Sequence, residues 1–153
     1  MKYLITLSIL VFGFYQVNAQ KMEEAAVPQT VKASFAKAYP TVKKVKWEKE
    51  DDNFEAEFKL NSIETSVVFN NTGEVLETET EISLKELPEA VLNKVKESYS
   101  VKDIEEIAKI ETKKGIQYEV EIELKEKTIE LIYDSTGKLL KKEEKNEKED
   151  EDE

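Results

Sequence analysis

Two related stretches decide the fold: VVFNNTGEVL at residues 67–76 and LIYDSTGKLL at residues 131–140. They lie 64 positions apart, and each has an apolar run, a Thr-Gly pair and a second apolar pair. An Asn or Asp that begins a turn, followed by a Gly that accepts a positive φ, is typical of a β-hairpin. Each stretch is therefore predicted to form two antiparallel strands joined by a tight turn.

Residues 134–137 read DSTG, which could also hold a catalytic aspartate or a calcium ligand. The first stretch has Asn70 where the second has Asp134, so these positions supply one carboxylate where a catalytic pair needs two. A calcium loop needs several further oxygen ligands at alternating positions, and the KLLKK that follows Gly137 supplies none. A structural turn is the favoured interpretation.

The similarity between the two halves extends well beyond the turns. VPQTVKASFAKAY at residues 27–39 matches LPEAVLNKVKESY at residues 87–99, at an offset of 60. FEAEFKL at residues 54–60 matches YEVEIEL at residues 118–124, at an offset of 64. Self-similarity at a nearly fixed distance predicts a duplicated structural unit.

Each unit is predicted to begin with a short amphipathic helix. Pro28 and Pro88 suit a first helical position, where a missing N–H costs nothing. Apolar residues then recur every fourth position, which places them on one side of a helix of about three turns. These residues are Val31, Phe35 and Tyr39 in the first unit, and Val91, Val95 and Tyr99 in the second.

Strands are predicted to follow each helix, because apolar and polar residues alternate strictly at residues 54–60 and 118–124. Alternation of this kind is typical of strands buried on one face of an antiparallel sheet. We expect an α+β fold of two tandem units, α-β-β-β-β twice, with each helix packed on one sheet face. A unit of about 55 residues has a thin core, so the two sheets are expected to join.

The chain ends differ in character from the repeated part. Lys2, an apolar run over residues 3–15 and the small residue Ala19 indicate a cleaved signal peptide. The apolar run is short for a bilayer span, although an N-terminal anchor is the alternative. The predicted divisions are a signal peptide at 1–19, a flexible lead at 20–26, unit 1 at 27–79, a connector at 80–86, unit 2 at 87–143 and an acidic disordered tail at 144–153.

The composition excludes several classes of function. The chain has no cysteine and no histidine, so it forms no disulfides and lacks the commonest general base and transition-metal ligand. Its net charge is −11 and it has no arginine, which argues against nucleic acid and anionic membranes as partners. We expect no enzyme, and we predict no catalytic, cofactor-binding or metal-binding residues.

Six motifs of unit 1 follow one another in order: Pro28, Val31, Tyr39-Pro40, Trp47-Glu48, the strand at 54–58 and the hairpin at 67–76. This order resembles the PepSY-like family, whose members are regarded as β-lactamase-inhibitor-like. The resemblance covers nearly all of residues 27–143, although Tyr99-Ser100 stands in unit 2 where unit 1 has Tyr39-Pro40. It implies an exported protein, periplasmic or secreted, with a β-lactamase-inhibitor-like architecture and no inhibitory loop that can be carried over.

A binding module that recognises an envelope protein or peptide, with inhibition as one form of that recognition, is the predicted function. The polar sheet face would offer an anionic surface that steers a cationic partner. The alternative is an ordinary solvated face whose acids pair with Lys46, Lys59 or Lys127. The candidate partner-binding residues are Glu55, Glu57, Glu119, Glu121, Glu123 and, if exposed, Trp47.

Two further expectations concern the aromatic residues and cations. Trp47, Phe54, Phe58 and Tyr118 fall on the apolar side of their strands, so a place in the core is favoured for each. Oxygen-rich side chains on the sheet face and the acidic tail suggest weak, multi-site divalent-cation binding or buffering as an alternative function. The sequence leaves the oligomeric state open.

Overall fold

A computed structural model of the protein describes residues 20–146. Two α-helices and nine β-strands follow one another in the order β1-α1-β2-β3-β4-β5-α2-β6-β7-β8-β9. Their bounds are β1 Gln20–Met22, α1 Gln29–Ala38, β2 Lys46–Glu50, β3 Asn53–Leu60, β4 Ile63–Phe69, β5 Val75–Glu81, α2 Glu89–Lys96, β6 Ile104–Thr112, β7 Gly115–Leu124, β8 Lys127–Asp134 and β9 Leu139–Asn146.

All nine strands form one antiparallel sheet in which each strand pairs with its neighbours in sequence. The β5–β6 pair, in which Thr80 lies opposite Lys109, joins the first half of the sheet to the second. The predicted mixed α+β class with antiparallel strands is confirmed, and β1 is an additional strand that the sequence pattern did not indicate.

Each helix begins directly after its proline. The carbonyl of Pro28 accepts a hydrogen bond from Lys32 N at 3.1 Å, and that of Pro88 accepts one from Leu92 N at 3.0 Å. Each proline was predicted to be the first helical residue. It is instead the N-cap, and the helix begins at the next residue. Among the described residues, no helix has the length and apolar character needed to cross a membrane.

Helix α1 packs on β2, β3 and β4 through a core rich in aromatic residues. The Phe35 ring lies 5.1 Å from that of Phe58 and 5.3 Å from that of Trp47, both in edge-to-face arrangements. The exposed fraction of Trp47 is 3%, so the prediction that it lies in the core is correct. The buried members of this core are Val27, Val31, Phe35, Trp47, Phe54, Ala56, Phe58, Val67 and Phe69.

Helix α2 packs on β6, β7 and β8 through a mainly aliphatic core. Its buried members are Leu87, Val91, Val95, Ile107, Val120, Ile122, Ile129, Leu131 and Tyr133. Both helices lie on the same side of the sheet, because the strand register places the two cores on one face. Val67 of the first core lies opposite Thr78, and Thr78 lies opposite Glu111. Ile107 of the second core lies on the same face of β6 as Glu111. The opposite face therefore has no helix over it in residues 20–146.

The two Thr-Gly turns are structural, as predicted. Oδ1 of Asn70 accepts hydrogen bonds from the backbone N–H of Thr72 and of Glu74, both at 3.0 Å. In the second turn, Oδ1 of Asp134 accepts from Thr136 N at 2.9 Å and from Lys138 N at 3.1 Å. Asp134 thus holds its turn together in the same way as Asn70 holds the first one.

Several predicted boundaries differ from the observed ones. The lead at 20–26, expected to be flexible, contains β1 and a 3-10 turn at Glu24–Ala26. β5 extends into the predicted connector, to Glu81. β9 runs to Asn146, three residues into the predicted tail. The predicted signal peptide and the rest of the tail, residues 147–153, lie outside the described residues.

Candidate functional site

The sheet face opposite the helices, here called the acidic face, carries most of the charged side chains that the strands position. Its members alternate with the core residues, because successive side chains of a strand point to opposite faces. They are Lys21, Lys46, Glu48, Glu55, Glu57, Lys59, Glu64, Glu77, Glu79, Glu81, Glu106, Glu119, Glu121, Glu123, Glu130, Lys141, Glu143 and Lys145.

Acids of the acidic face were expected to point into water, and for five of them that expectation is wrong. The exposed fraction is 2% for Glu55, 4% for Glu79 and 5% for Glu119. These residues lie on strands with neighbours on both sides, where cross-strand side chains are only about 5 Å away and cover them. The buried acids are Glu48, Glu55, Glu77, Glu79 and Glu119.

A first cluster, called the lysine cluster, joins Lys46, Glu48, Glu55, Glu57 and Ser66. Nζ of Lys46 lies 2.5 Å from Oε1 of Glu48 and 2.9 Å from Oε2 of Glu57. The Ser66 hydroxyl donates a hydrogen bond to Oε1 of Glu55. Burial raises the pKa of Glu57, and the Lys46 ammonium partly offsets that rise. The cluster thus supplies its own cation and its own donor.

A second cluster, called the carboxylate cluster, consists of Glu79, Glu106, Glu119, Glu121 and Glu130. Glu79, Glu106, Glu119 and Glu121 surround a small space beside Ala108. One carboxylate oxygen from each of Glu119, Glu121 and Glu130 lies within 4.8 Å of the other two. Lys145 approaches from β9, with its Nζ 2.5 Å from Oε1 of Glu130.

The carboxylate cluster has strongly perturbed acidities. Burial, with the nearby charge of Glu121, raises the pKa of Glu106 to about 7. Burial, with the charges of Glu130 and Glu121, raises the pKa of Glu119 to about 8. Burial and the charge of Glu119 raise the pKa of Glu79 well above its usual value. The cluster therefore retains protons near neutral pH when nothing else compensates its charge.

The two clusters occupy matching places in the two halves of the sheet. In the first half Lys46 lies opposite Glu57, and Glu57 lies opposite Ser66. In the second half Glu106 lies opposite Glu121, and Glu121 lies opposite Glu130. Glu106 and Glu130 thus occupy the positions that Lys46 and Ser66 occupy in the lysine cluster.

The structure places the predicted site residues in three environments. Trp47 lies in the core and is not on the acidic face. Glu55 and Glu119 are buried, Glu57 and Glu121 are half-buried, and Glu123 is exposed. Glu119 and Glu121 meet in the carboxylate cluster, whereas Glu55 and Glu57 belong to the lysine cluster four strands away, about 19 Å at the usual strand spacing.

Sequence reasoning missed Glu79, Glu106 and Glu130. The signal for two of them is in the repeat itself. The offset of 60 aligns Lys46 with Glu106, and the offset of 64 aligns Ser66 with Glu130. Comparing the polar positions of the two copies, and not only the apolar ones, would have identified them.

A cleft of about 810 Å³ lies between the loop at residues 41–45 and the end of β3. It exists because the β2–β3 register ends at the pair Lys46–Glu57, while β3 continues to Leu60. Four apolar and four cationic side chains line it, together with acids and small polar residues. They are Val42, Val45, Phe58 and Leu60, and Lys43, Lys44, Lys46 and Lys59.

Solved structures with the same fold come from several Bacteroides species. One of the "putative periplasmic proteins" of Bacteroides eggerthii has a TM-score of 0.70 and 20% identity, covering 77% of this chain and 88% of that one. A DUF2874 family protein of Bacteroides ovatus has a TM-score of 0.66 and 27% identity, with coverages of 76% and 86%. A BLIP-like protein of Bacteroides fragilis has a TM-score of 0.59 and 26% identity, with the same coverages.

The first of these neighbours is described as periplasmic, in agreement with the predicted periplasmic or secreted location. No curated protein matches the chain. Residues 15–76 and 54–141 each match the family described as "Putative beta-lactamase-inhibitor-like, PepSY-like". The two matches together span most of the sequence, and the chain belongs to this PepSY-like family.

Proposed function

We propose that the protein is an exported, non-catalytic binding module that recognises a cationic protein or peptide of the cell envelope through its acidic face. The observation that carries this proposal is the position of both helices on one side of the nine-stranded sheet. The acidic face has no helix over it in residues 20–146, and a broad charged sheet surface of this kind can receive a partner without rearrangement.

The charge of the acidic face supports a cationic partner. Of its eighteen defined members, thirteen are glutamates and five are lysines: Lys21, Lys46, Lys59, Lys141 and Lys145. Half-buried or exposed acids such as Glu81, Glu121 and Glu123 can contact a partner directly. The exposed acids also produce a long-range field, which accelerates association with an oppositely charged protein.

A duplicated unit supports the same proposal. Each helix is followed by four consecutive strands, and the two clusters have the same register within their halves. We propose that residues 27–79 and 87–143 are two copies of one PepSY-like unit. Their fusion through the β5–β6 pair doubles the length of the acidic face, so that one partner can contact both halves at once.

A non-catalytic role fits the side chains that are present. The chain has neither histidine nor cysteine, so it lacks the commonest general base and the thiol nucleophile. The BLIP-like description of a structural neighbour supports a protein as partner. An exported protein meets such partners in the periplasm or outside the cell, which is where we place this one.

The proposal is tested by capture from the envelope and secreted fractions with three forms of the exported protein. The first is wild type, and the second carries Glu81→Lys and Glu123→Lys on the acidic face. The third carries Glu23→Lys and Glu89→Lys, exposed acids outside the sheet that give the same change in charge.

We expect a protein that is captured by wild type and by the third form and is lost by the second form. Added salt should release it, because exposed charges are screened over about 8–10 Å. Equal capture by all three forms would contradict recognition through the acidic face.

A further inference from the structure

Glu79 is a buried acid of the acidic face, and both of its carboxylate oxygens lack a hydrogen-bond partner among residues 20–146. Its exposed fraction is 4%. Burying a carboxylate without a partner is strongly unfavourable unless the group is neutralised. Native proteins resolve such cases with a hydrogen bond, a paired cation or a metal ion, and Glu79 lines the same small space as three other acids.

The surrounding carboxylates have the separations of a cation site. Oxygens of Glu119, Glu121 and Glu130 lie within 4.8 Å of one another. An ion with ligand distances of about 2.3–2.6 Å can contact oxygens up to about 5 Å apart, on opposite sides of it. Glu119 and Glu121 also line the space beside Ala108 together with Glu79 of β5 and Glu106 of β6, so carboxylates from four neighbouring strands adjoin one another.

The lysine cluster shows how this arrangement is neutralised in the other half of the sheet. There the Lys46 ammonium lies against Glu48 and Glu57, and Ser66 donates to Glu55. In the carboxylate cluster Glu106 and Glu130 replace the lysine and the serine. The position that corresponds to Lys46 therefore has no cation, and Glu106 and Glu130 add two carboxylates to the cluster.

We propose that Glu79, Glu106, Glu119, Glu121 and Glu130 bind one divalent cation, with calcium preferred to magnesium. Calcium takes six to eight oxygen ligands in flexible geometry, including carboxylates that bind through both oxygens. Magnesium requires near-ideal octahedral geometry and retains much of its water. Four carboxylates around the space beside the apolar Ala108, with Glu130 next to Glu119 and Glu121, suit the larger and more easily dehydrated ion.

Other charged groups that face the site are few and leave it anionic. Lys145 of β9 contacts Glu130, and Lys141 lies on the same strand. Glu77 and Glu81 of β5, Glu123 of β7 and Glu143 of β9 add further negative charge on the same face. The field of the face therefore favours entry of a cation from the side on which Glu106 and Glu121 are half-buried.

Calcium and magnesium titrations of the chelator-treated exported protein, followed by calorimetry and by equilibrium dialysis, test the proposal. We expect one calcium ion per chain with a Kd of about 10⁻⁴ to 10⁻³ M, the range of extracellular modules. Calcium should also raise Tm, because it binds only the folded form.

Two variants examine the site itself. Glu106→Lys installs the cation that the lysine cluster already has, and it should weaken calcium binding at least about tenfold while the sheet still forms. Glu79→Gln keeps the size of the side chain and should weaken binding by a similar factor. Because these two changes differ in their structural risk, a folding defect in one leaves the other as a valid test.

Two matched controls separate this site from other acids. Glu57→Gln removes the half-buried acid of the lysine cluster that corresponds to Glu121. Replacing the five acids at 149–153 by amides removes the negative charge at the end of the tail. Both controls should bind calcium as wild type does. The proposal is overturned if wild type shows no saturable binding, if Glu106→Lys and Glu79→Gln bind normally, or if the tail variant alone loses binding. Equal affinity for magnesium would contradict the calcium preference.

Discussion

Lys46 and Glu57 lie directly opposite each other on β2 and β3, with Nζ of Lys46 2.9 Å from Oε2 of Glu57. The same ammonium lies 2.5 Å from the buried Glu48. Lys46→Met should therefore lower the free energy of unfolding by roughly 1–2 kcal/mol, because it leaves two acids without their cation in a partly solvated position.

Urea unfolding at neutral pH measures that change. Lys49→Met, which removes an exposed lysine from the same strand, is the matched control and should stay within about 0.5 kcal/mol of wild type. Equal stability of Lys46→Met and wild type would show that Glu48 and Glu57 do not depend on Lys46.

The turn at residues 134–137 rests directly on α2. A Cβ added to Gly137 would lie 2.7 Å from the carbonyl oxygen of Ala90, and Gly137 has a φ of +84°. Gly137→Ala should therefore destabilise the protein by about 2 kcal/mol or more, since both the backbone conformation and the close approach to the helix oppose a side chain.

Thermal unfolding monitored by circular dichroism measures this effect. Ser135→Ala, an exposed change in the same turn, should leave Tm nearly unchanged. A Gly137→Ala protein that melts with wild type would mean that the turn moves freely away from α2.

Much of the fold could be predicted from the sequence because period-two alternation and a repeated turn are local signals. Alternation assigns Glu55 and Glu119 to the face opposite Phe54 and Val120, and that assignment is correct. It does not reveal burial, which depends on the strands that lie alongside. Strand β1 has only three residues, too few for a periodic pattern, and its place depends on pairing with β2.

Stability should depend on pH through the carboxylate cluster. Burial raises the pKa of Glu106 to about 7 and that of Glu119 to about 8, whereas both groups ionise near their ordinary value of 4.5 when unfolded. Between pH 4.5 and about pH 8 the folded state therefore binds more protons than the unfolded state. In the presence of chelator, the free energy of unfolding should therefore fall as pH rises from about 5 to about 9.

Urea titrations across that pH range test the sign. Glu119→Gln cannot ionise, so its pH dependence should be shallower than that of wild type. The acids whose pKa is lowered, such as Asp134 and Glu144, act below pH 4.5 and do not affect this range. A stability that is flat or rises from pH 5 to pH 9 would contradict burial of charged carboxyls at this site.

The aromatic core under α1 should depend strongly on one ring. Phe35 contacts the rings of Tyr39, Trp47, Phe58 and Phe69, at centroid distances between 5.1 and 6.5 Å. Phe35→Ala should cost about 3–5 kcal/mol, because it removes a buried ring and leaves a cavity among the other four.

Trp47 fluorescence and urea unfolding together report that loss, since Trp47 is the only tryptophan in the chain. Ala36→Ser, on the exposed side of α1, is the control and should change little. A loss below about 1 kcal/mol for Phe35→Ala would mean that α1 does not depend on this packing.

Recognition through the acidic face is tested most directly by the affinity of a captured envelope protein for two charge-matched variants. The account predicts that Glu81→Lys with Glu123→Lys weakens that binding at least about tenfold, mainly through slower association at low salt. It also predicts that Glu23→Lys with Glu89→Lys binds as wild type does. Equal weakening by both pairs would show that only net charge matters, and unchanged affinity for the acidic-face pair would place the binding surface elsewhere on the molecule.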